Sequence, residues 1–231
     1  YCQVKKILQK NTFHQLIAGD LYSLANICHY RHTTHLIYDC REIYFQLSAH
    51  YAQPLKRYAS LQYEKFLLKY INTVFVTAHT DLIFLKKKYH QYKHLHWYII
   101  FNFPSNYIKT KNINLRLKYK IPSDHQLIIY QGVIQNNRGI LQLIKVIQYT
   151  KNYTALIVGD GPALPLLKRY AKKNKLNLKI HFIGKLPYFK MFSYTANCNI
   201  GWLMIRGKGL SNQFALPNKL FEYTLMGLQV V

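Results

Sequence analysis

The stretch "TALIVGDGPALPLLKRYAKKN", residues 154–174, reads as one strand, one turn and one helix. Residues 154–158 form a short apolar run bounded by glycine, the pattern of a buried strand. Gly159 and Gly161 break the run and permit close backbone approach. Residues 162–174 then return to helical spacing. A plain tight turn explains the two glycines as well as a ligand loop does.

The same unit recurs on both sides. Upstream, "QLIIYQG" (126–132) is a strand and "RGILQLIKVIQY" (138–149) a helix. Downstream come strand 178–184, helix 186–196, strand "CNIGWL" (198–203), a loop, helix 217–226 and strand 228–231. The first half alternates in the same way, with strands at 14–19, 35–39, 73–77 and 96–102. Its helices fall at 20–30, 53–71 and 80–92, with Asp20 as an N-cap and Pro54 in a first turn. Between the halves, residues 103–124 carry two prolines, many polar residues and weak periodicity. Strand–helix alternation implies parallel sheets covered by helices. The expectation is two Rossmann-like α/β domains, 1–104 and 125–231, joined by a linker at 105–124 and separated by a cleft. Ligands of such sheets sit at the carboxyl ends of the strands.

Charge narrows the partners. The chain of 231 residues has 32 Lys+Arg against 8 Asp+Glu, a net charge of +24. Such a field favours nucleic acid, anionic membrane or phosphorylated substrates. No apolar run approaches the ~20 residues that span a bilayer, so the expectation is a soluble or peripheral protein. Cys2, Cys28, Cys40 and Cys198 form no C-x-x-C pair and read as reduced thiols of a cytoplasmic protein. His90, His94 and His96 lie in the basic, aromatic segment "KKKYHQYKHLHW" (86–97). That segment reads first as a solvated helix face and next as a surface for anionic headgroups. A metal site and RNA binding are the weakest readings of it.

Glu222 is one of only eight acids, and it stands in "LPNKLFEY", residues 216–223. Pro217 favours a helix start, and the N–H groups of Asn218 and Lys219 point out of it. A helix N-terminus attracts anions, and Lys219 adds a cation. Glu222, further along the helix, can accept two hydroxyls of a ribose. Phosphate at the start and ribose at the carboxylate describe a nucleoside diphosphate. A helix with an acid in its first half also suits the dipole without any ligand. In "YQGVIQNNRGI" (130–140), Gly132 closes a strand and Arg138 opens a helix, where a guanidinium can reach a pyrophosphate. A surface arginine is the plainer account of it.

Taken together, "YQGVIQNNRGI", "LIVGDGP", "IHFIGKLP" and "LPNKLFEY…MGLQVV" resemble, in order and spacing, the retaining glycosyltransferases of family 4, with their GT-B fold. "AGDLYSLANI", "HLIYDCREIY" and "FNFP" resemble the acceptor domain of that family. The resemblance implies sugar transfer, with retention, from a nucleotide diphosphate sugar to a glycan or lipid-linked acceptor, without a metal or other cofactor. It implies donor binding by Gly132, Arg138, Gly161, Asn218, Lys219 and Glu222. It also implies a cytoplasmic location, or a peripheral one on the inner face of the cell membrane, and a part in cell-envelope polysaccharide assembly. No specific nucleic acid is expected. Relatives extend beyond both ends of this sequence, so a fragment is expected.

Three positions depart from the family. Phe214 stands where many relatives carry a second glutamate, and Val133 where many carry a second arginine. Arg41 replaces the histidine of a "DSHE"-like segment, here Asp39-Cys40-Arg41-Glu42. Arginine stays protonated and cannot relay a proton, although it can hold a phosphate. Arg41 and Glu222 are the candidates at the reaction itself. A catalytically silent nucleotide-binding relative and a basic nucleic-acid-binding protein are the alternatives.

Overall fold

The structure is a computed structural model that describes residues 2–104, 110–207 and 209–231. The chain divides into two compact units, Tyr1–Asn102 with Gly207–Leu216, and Phe103–Arg206 with Pro217–Val231.

The first unit runs α1 (Cys2–Lys10), β1 (Gln15–Ala18), α2 (Leu21–Ile27), β2 (His35–Cys40), α3 (Pro54–Leu68), β3 (Thr73–Val76), α4 (His79–Lys88) and β4 (His96–Ile99). Its strands are parallel and ordered β1-β2-β3-β4. The α1 helix carries no cap or turn signal and is not expected from the sequence. Asp20 closes α2 with a reciprocal capping box: its Oδ1 accepts from the Ser23 N–H at 2.6 Å, and Ser23 Oγ accepts from the Asp20 N–H at 3.2 Å. Leu24, Leu36, Tyr38, Leu68, Val74, Val76 and Leu85 fill the core between the sheet and its helices.

A carboxyl group lies deep in that core. Glu64 on α3 is 1% exposed. It accepts hydrogen bonds from the hydroxyls of Tyr38 at 2.8 Å and Tyr89 at 2.5 Å. Burial raises its pKa to about 7, against the two tyrosine bonds that lower it.

The second unit runs α5 (Leu115–Tyr119), β5 (Gln126–Gln131), α6 (Ile140–Tyr149), β6 (Tyr153–Val158), α7 (Leu164–Lys173), β7 (Ile180–Gly184), α8 (Tyr188–Thr195) and β8 (Ile200–Gly201). The chain then enters the first unit for a short helix, α9 (Leu210–Gln213), and returns for α10 (Asn218–Leu225) and β9 (Gln229–Val230). The strands are parallel in the order β7-β6-β5-β8-β9. The order reverses between β5 and β8. Connections on either side of that point leave toward opposite faces and open a crevice at the carboxyl ends. β5 and β6 are apolar along nearly their whole length because both of their faces are covered.

The expected linker at 105–124 is replaced in part by structure. Residues 110–124 belong to the second unit, and residues 105–109 lie outside the described residues. Leu115 and Ile121 are buried beside Leu127, Ile129, Tyr223 and Leu228. The Asn114 side chain caps α5 by accepting from the Leu117 N–H at 2.9 Å. Arg116 donates to the Pro122 and His125 carbonyls, each at 2.7 Å. A helix of five residues is too short for its periodicity to show in sequence. A second difference is the excursion at 207–216, read as part of the carboxy-terminal domain. Asn212 Nδ2 donates to Ser48 Oγ at 2.6 Å, and the Phe214 ring meets Phe84 edge-on, so this segment belongs to the first unit.

Cys28, Cys40 and Cys198 are free and buried. Among the described residues, no helix is long and apolar enough to cross a membrane.

Candidate functional site

Two glycine loops meet at the carboxyl end of the second sheet. The Gly132 N–H donates to the Val158 carbonyl at 3.0 Å, and the Ile134 N–H to the Asp160 carbonyl at 2.8 Å. Ala163 donates back to the Ile134 carbonyl at 3.1 Å. Gly159 and Gly161 have φ of 138° and 157°. A Cβ on Gly159 would collide with the Gly132 carbonyl oxygen, and one on Gly161 with that of Ile134. The "VGDGP" glycines are therefore required by loop-on-loop packing. Gly161 also lines, with Gly132, Val133, Asp160, Lys185 and Leu186, a cleft of about 480 Å³.

Helix α10 points its start into this region. Pro217 is its extended N-cap and offers no capping side chain. The first N–H groups of α10, at Asn218 and Lys219, therefore have no partner within the helix. The Lys219 Nζ lies over the Tyr130 ring, 4.3 Å from its centroid. Gly132, at φ 124°, lies beside it: a Cβ there would stand 3.6 Å from Nζ, an ordinary contact. Burial, and then the nearby charge of Arg138, push the Lys219 ammonium down to about 8, while Glu222 pulls the other way. Arg138 ends a 3₁₀ turn, Asn136–Arg138, just before α6. A half-buried ammonium, a guanidinium of like charge and a helix start converge here. An anion between them removes their mutual repulsion.

Glu222 lies one turn into α10 and is only 5% exposed. Its Oε2 accepts from Gln131 Nε2 at 2.5 Å, and its Oε1 from the Tyr188 hydroxyl at 3.1 Å. Gln131 is the last residue of β5. Its side-chain Oε1 accepts from Thr195 Oγ1 at 2.6 Å, and its backbone N–H donates to the Tyr223 hydroxyl at 3.1 Å. Thr195 on α8, Gln131 on β5 and Glu222 on α10 thus form one chain of hydrogen bonds across three elements.

The structure brings Gly132, Arg138, Gly161, Asn218, Lys219 and Glu222 to one end of one sheet. Arg41 belongs to the first unit, in the loop after β2. Its Nε and one terminal nitrogen both contact Asp39 Oδ2 at 2.7 Å, and its side chain is exposed. Val133 is exposed and gives its carbonyl to the Tyr130 hydroxyl at 2.6 Å. Phe214 packs against the first unit's core. His90 Nδ1 lies 3.2 Å from the Lys87 carbonyl and His94 Nε2 3.3 Å from that of Leu68. Among the described residues, no three His, Cys, Asp or Glu side chains are placed to hold a metal.

Sequence reasoning missed Gln131, Thr195, Tyr188 and Tyr130. Gln131 alone left a trace, as a polar residue closing the otherwise apolar strand "LIIYQ".

Residues 111–204 match the family described as Glycosyl transferases group 1. By structure, the chain is similar to Anabaena Alr3699/HepE in complex with UDP-glucose, with a TM-score of 0.75 and 16% identity over 98% of this chain and 62% of that one. It is similar also to sucrose-phosphate synthase from Thermosynechococcus elongatus, with a TM-score of 0.76 and 16% identity over 98% of this chain and 57% of that one. The chain has the GT-B fold.

A third GT-B match is the pneumococcal O-GlcNAc transferase GtfA in complex with UDP and GlcNAc, with a TM-score of 0.68 and 15% identity over 98% of this chain and 44% of that one. No curated protein matches by sequence. The chain therefore spans less than two thirds of the length of these GT-B structures. The family match ends before α10, so the reading of Lys219 and Glu222 stands on the geometry.

Proposed function

We propose that the second unit binds a nucleoside diphosphate sugar and that the protein is a glycosyltransferase. The observation that carries this is that Lys219, within the electrostatic reach of Arg138, shares helix α10 with the buried Glu222 carboxylate at the carboxyl end of a parallel sheet. The cations and the α10 start suit a diphosphate, and the carboxylate suits a ribose diol. The GT-B structures that this chain resembles include complexes with UDP and UDP-glucose.

In this reading the protein's own residues do three things. Lys219, Arg138 and the N–H groups of Asn218 and Lys219 hold the diphosphate and take up its charge as the sugar leaves. Gln131 and Thr195 orient Glu222 for the ribose. Arg41, held by Asp39 and always protonated, serves a phosphate-bearing or lipid-linked acceptor and not proton transfer. Retention of configuration is carried over from the family resemblance.

The acceptor side is proposed to work at an anionic membrane surface. The sole acids of α3 and α4 are Glu64 and Asp81, and both are buried. The outer faces of these helices therefore show lysines with no carboxylate among them. Leu55 (84% exposed), Tyr58 and Phe66 share one side of α3, flanked by Lys56 and Lys69. Apolar and aromatic side chains within a cationic surface are the pattern of interfacial binding.

The test of the donor site is a titration with UDP, GDP and ADP, for wild type and Glu222→Ala. Saturable binding of one nucleotide, weakened by roughly 1.5–3 kcal/mol in the variant, is expected. Binding indifferent to Glu222 and abolished by salt would sink the reading. A sugar-transfer assay separates a working enzyme from a silent relative; Arg41, Phe214 and Val133 are the positions that favour the silent relative.

A further inference from the structure

Each carboxylate oxygen of Glu222 has a second lone pair, but burial leaves little of either open to a ligand. Both oxygens already accept a hydrogen bond, and the residue is 5% exposed. A ligand diol reaches it only if one present partner gives way. The two partners are unlike. Gln131 is 1% exposed, and three bonds fix it, from its side-chain nitrogen, its side-chain oxygen and its backbone N–H. Thr195 has a single hydroxyl proton, and the 2.6 Å bond to Gln131 is the shorter of its two contacts, the other being the Met191 carbonyl at 3.1 Å. That bond sets the Gln131 amide with its nitrogen toward Glu222. Tyr188, in contrast, is the first residue of α8 and 47% exposed, and its hydroxyl is held by Glu222 at 3.1 Å.

Resting on the reading of Glu222 as the ribose carboxylate, we propose that Tyr188 is a displaceable plug. Its hydroxyl takes the place on Oε1 that a ribose hydroxyl takes when a nucleotide binds. Gln131 and Thr195 are positioning residues that stay fixed and keep the carboxylate oriented during the exchange. Tyr188 is thus a negative determinant of affinity, and ligands lacking ribose hydroxyls gain nothing from moving it.

The test is UDP binding by the 231-residue chain, compared among wild type, Tyr188→Phe, Glu222→Ala and the double variant. The phenylalanine keeps the ring and its edge-on contacts with Phe189 and Phe192, so folding is preserved. Tyr188→Phe is expected to bind UDP about fivefold more tightly, the worth of one hydrogen bond that no longer has to be broken. It should bind 2′,3′-dideoxy-UDP as wild type does, and it should have no effect on top of Glu222→Ala. If Tyr188→Phe binds UDP equally or more weakly while Glu222→Ala still weakens binding, the plug is wrong and the ribose reading survives. If Glu222→Ala leaves UDP binding unchanged, or wild type binds no nucleotide, both are wrong.

Discussion

The Lys219 ammonium rests 4.3 Å from the centre of the Tyr130 ring, with burial and Arg138 holding its pKa down at about 8. A group placed so is charged at neutral pH but near its limit. A bound diphosphate favours the charged form and raises its pKa. Nucleotide affinity is therefore full below pH 8 and falls as pH rises through that value, by up to tenfold per unit until the bound-state pKa is reached. Titrations across this range should show the fall in wild type and lose it in Lys219→Met.

The same residue should trade stability against binding. A lysine whose folded pKa lies below its unfolded one binds fewer protons when folded, so it costs stability below about pH 8 and the cost disappears as pH rises above it. Lys219→Met removes that cost together with the repulsion from Arg138. The expected outcome at pH 7 is a melting temperature equal to or above wild type, with UDP affinity down by about ten- to a hundredfold. A variant that melts earlier and still binds would contradict the anion site.

Glu64 gives the opposite dependence in the first unit. Its folded pKa is raised from 4.5 to about 7, so its protonated form stabilises the fold. That contribution is present below pH 4.5 and is lost as pH rises through about 7. Glu64→Gln keeps a hydrogen-bonding group between Tyr38 and Tyr89 but cannot ionise. The difference in unfolding free energy between variant and wild type should shift in favour of the variant between those pH values, by on the order of 2 kcal/mol. Denaturant unfolding at pH 5 and pH 8 measures it.

How much of this was legible in sequence depends on distance along the chain. The Asp20 N-cap is a local signal and was visible in the sequence, while its reciprocal bond with Ser23 was not read there. The runs of β5 and β6 are apolar over nearly whole elements and α6 follows with helical spacing, so a parallel sheet covered by helices was visible too. Lys219 and Glu222 share one helix, so the roles proposed for them rest on the local chemistry of its start. Gln131 and Glu222 are 91 positions apart, and nothing local shows that one amide closes on one carboxylate. Glu64 was hidden for another reason. The α3 helix has apolar residues on both faces, so its amphipathicity does not say that the acid points inward. Segment 207–216 looked like a loop because its partners, Ser48 and Phe84, belong to distant elements.

The two loop glycines should be intolerant of any side chain. Gly159→Ala and Gly161→Ala each drive a Cβ into a backbone carbonyl at a positive φ. A backbone collision cannot be relieved by a rotamer change, so each is expected to destabilise the second unit by roughly 2–4 kcal/mol. Gly184 is the control. It has φ of 82°, but its Cβ would meet nothing within 4 Å. Gly184→Ala should cost only the strain of the left-handed backbone, about 1 kcal/mol.

The surface of α3 yields the last prediction. Electrostatics alone would give binding to anionic vesicles that salt abolishes, because exposed charges are screened within about 8 Å at physiological ionic strength. Insertion of Leu55 and Phe66 adds a part that salt leaves intact. Co-sedimentation with phosphatidylglycerol-rich vesicles should therefore persist in part at high salt for wild type. In Leu55→Ser/Phe66→Ser it should be weakened roughly tenfold or more and become fully salt-sensitive, since burying one such side chain is worth about 1.5–3 kcal/mol. Both side chains are exposed, so the variant should melt as wild type does. Equal binding by the two proteins at every salt concentration would mean that the α3 face does not enter the lipid and that only the basic surface meets the headgroups.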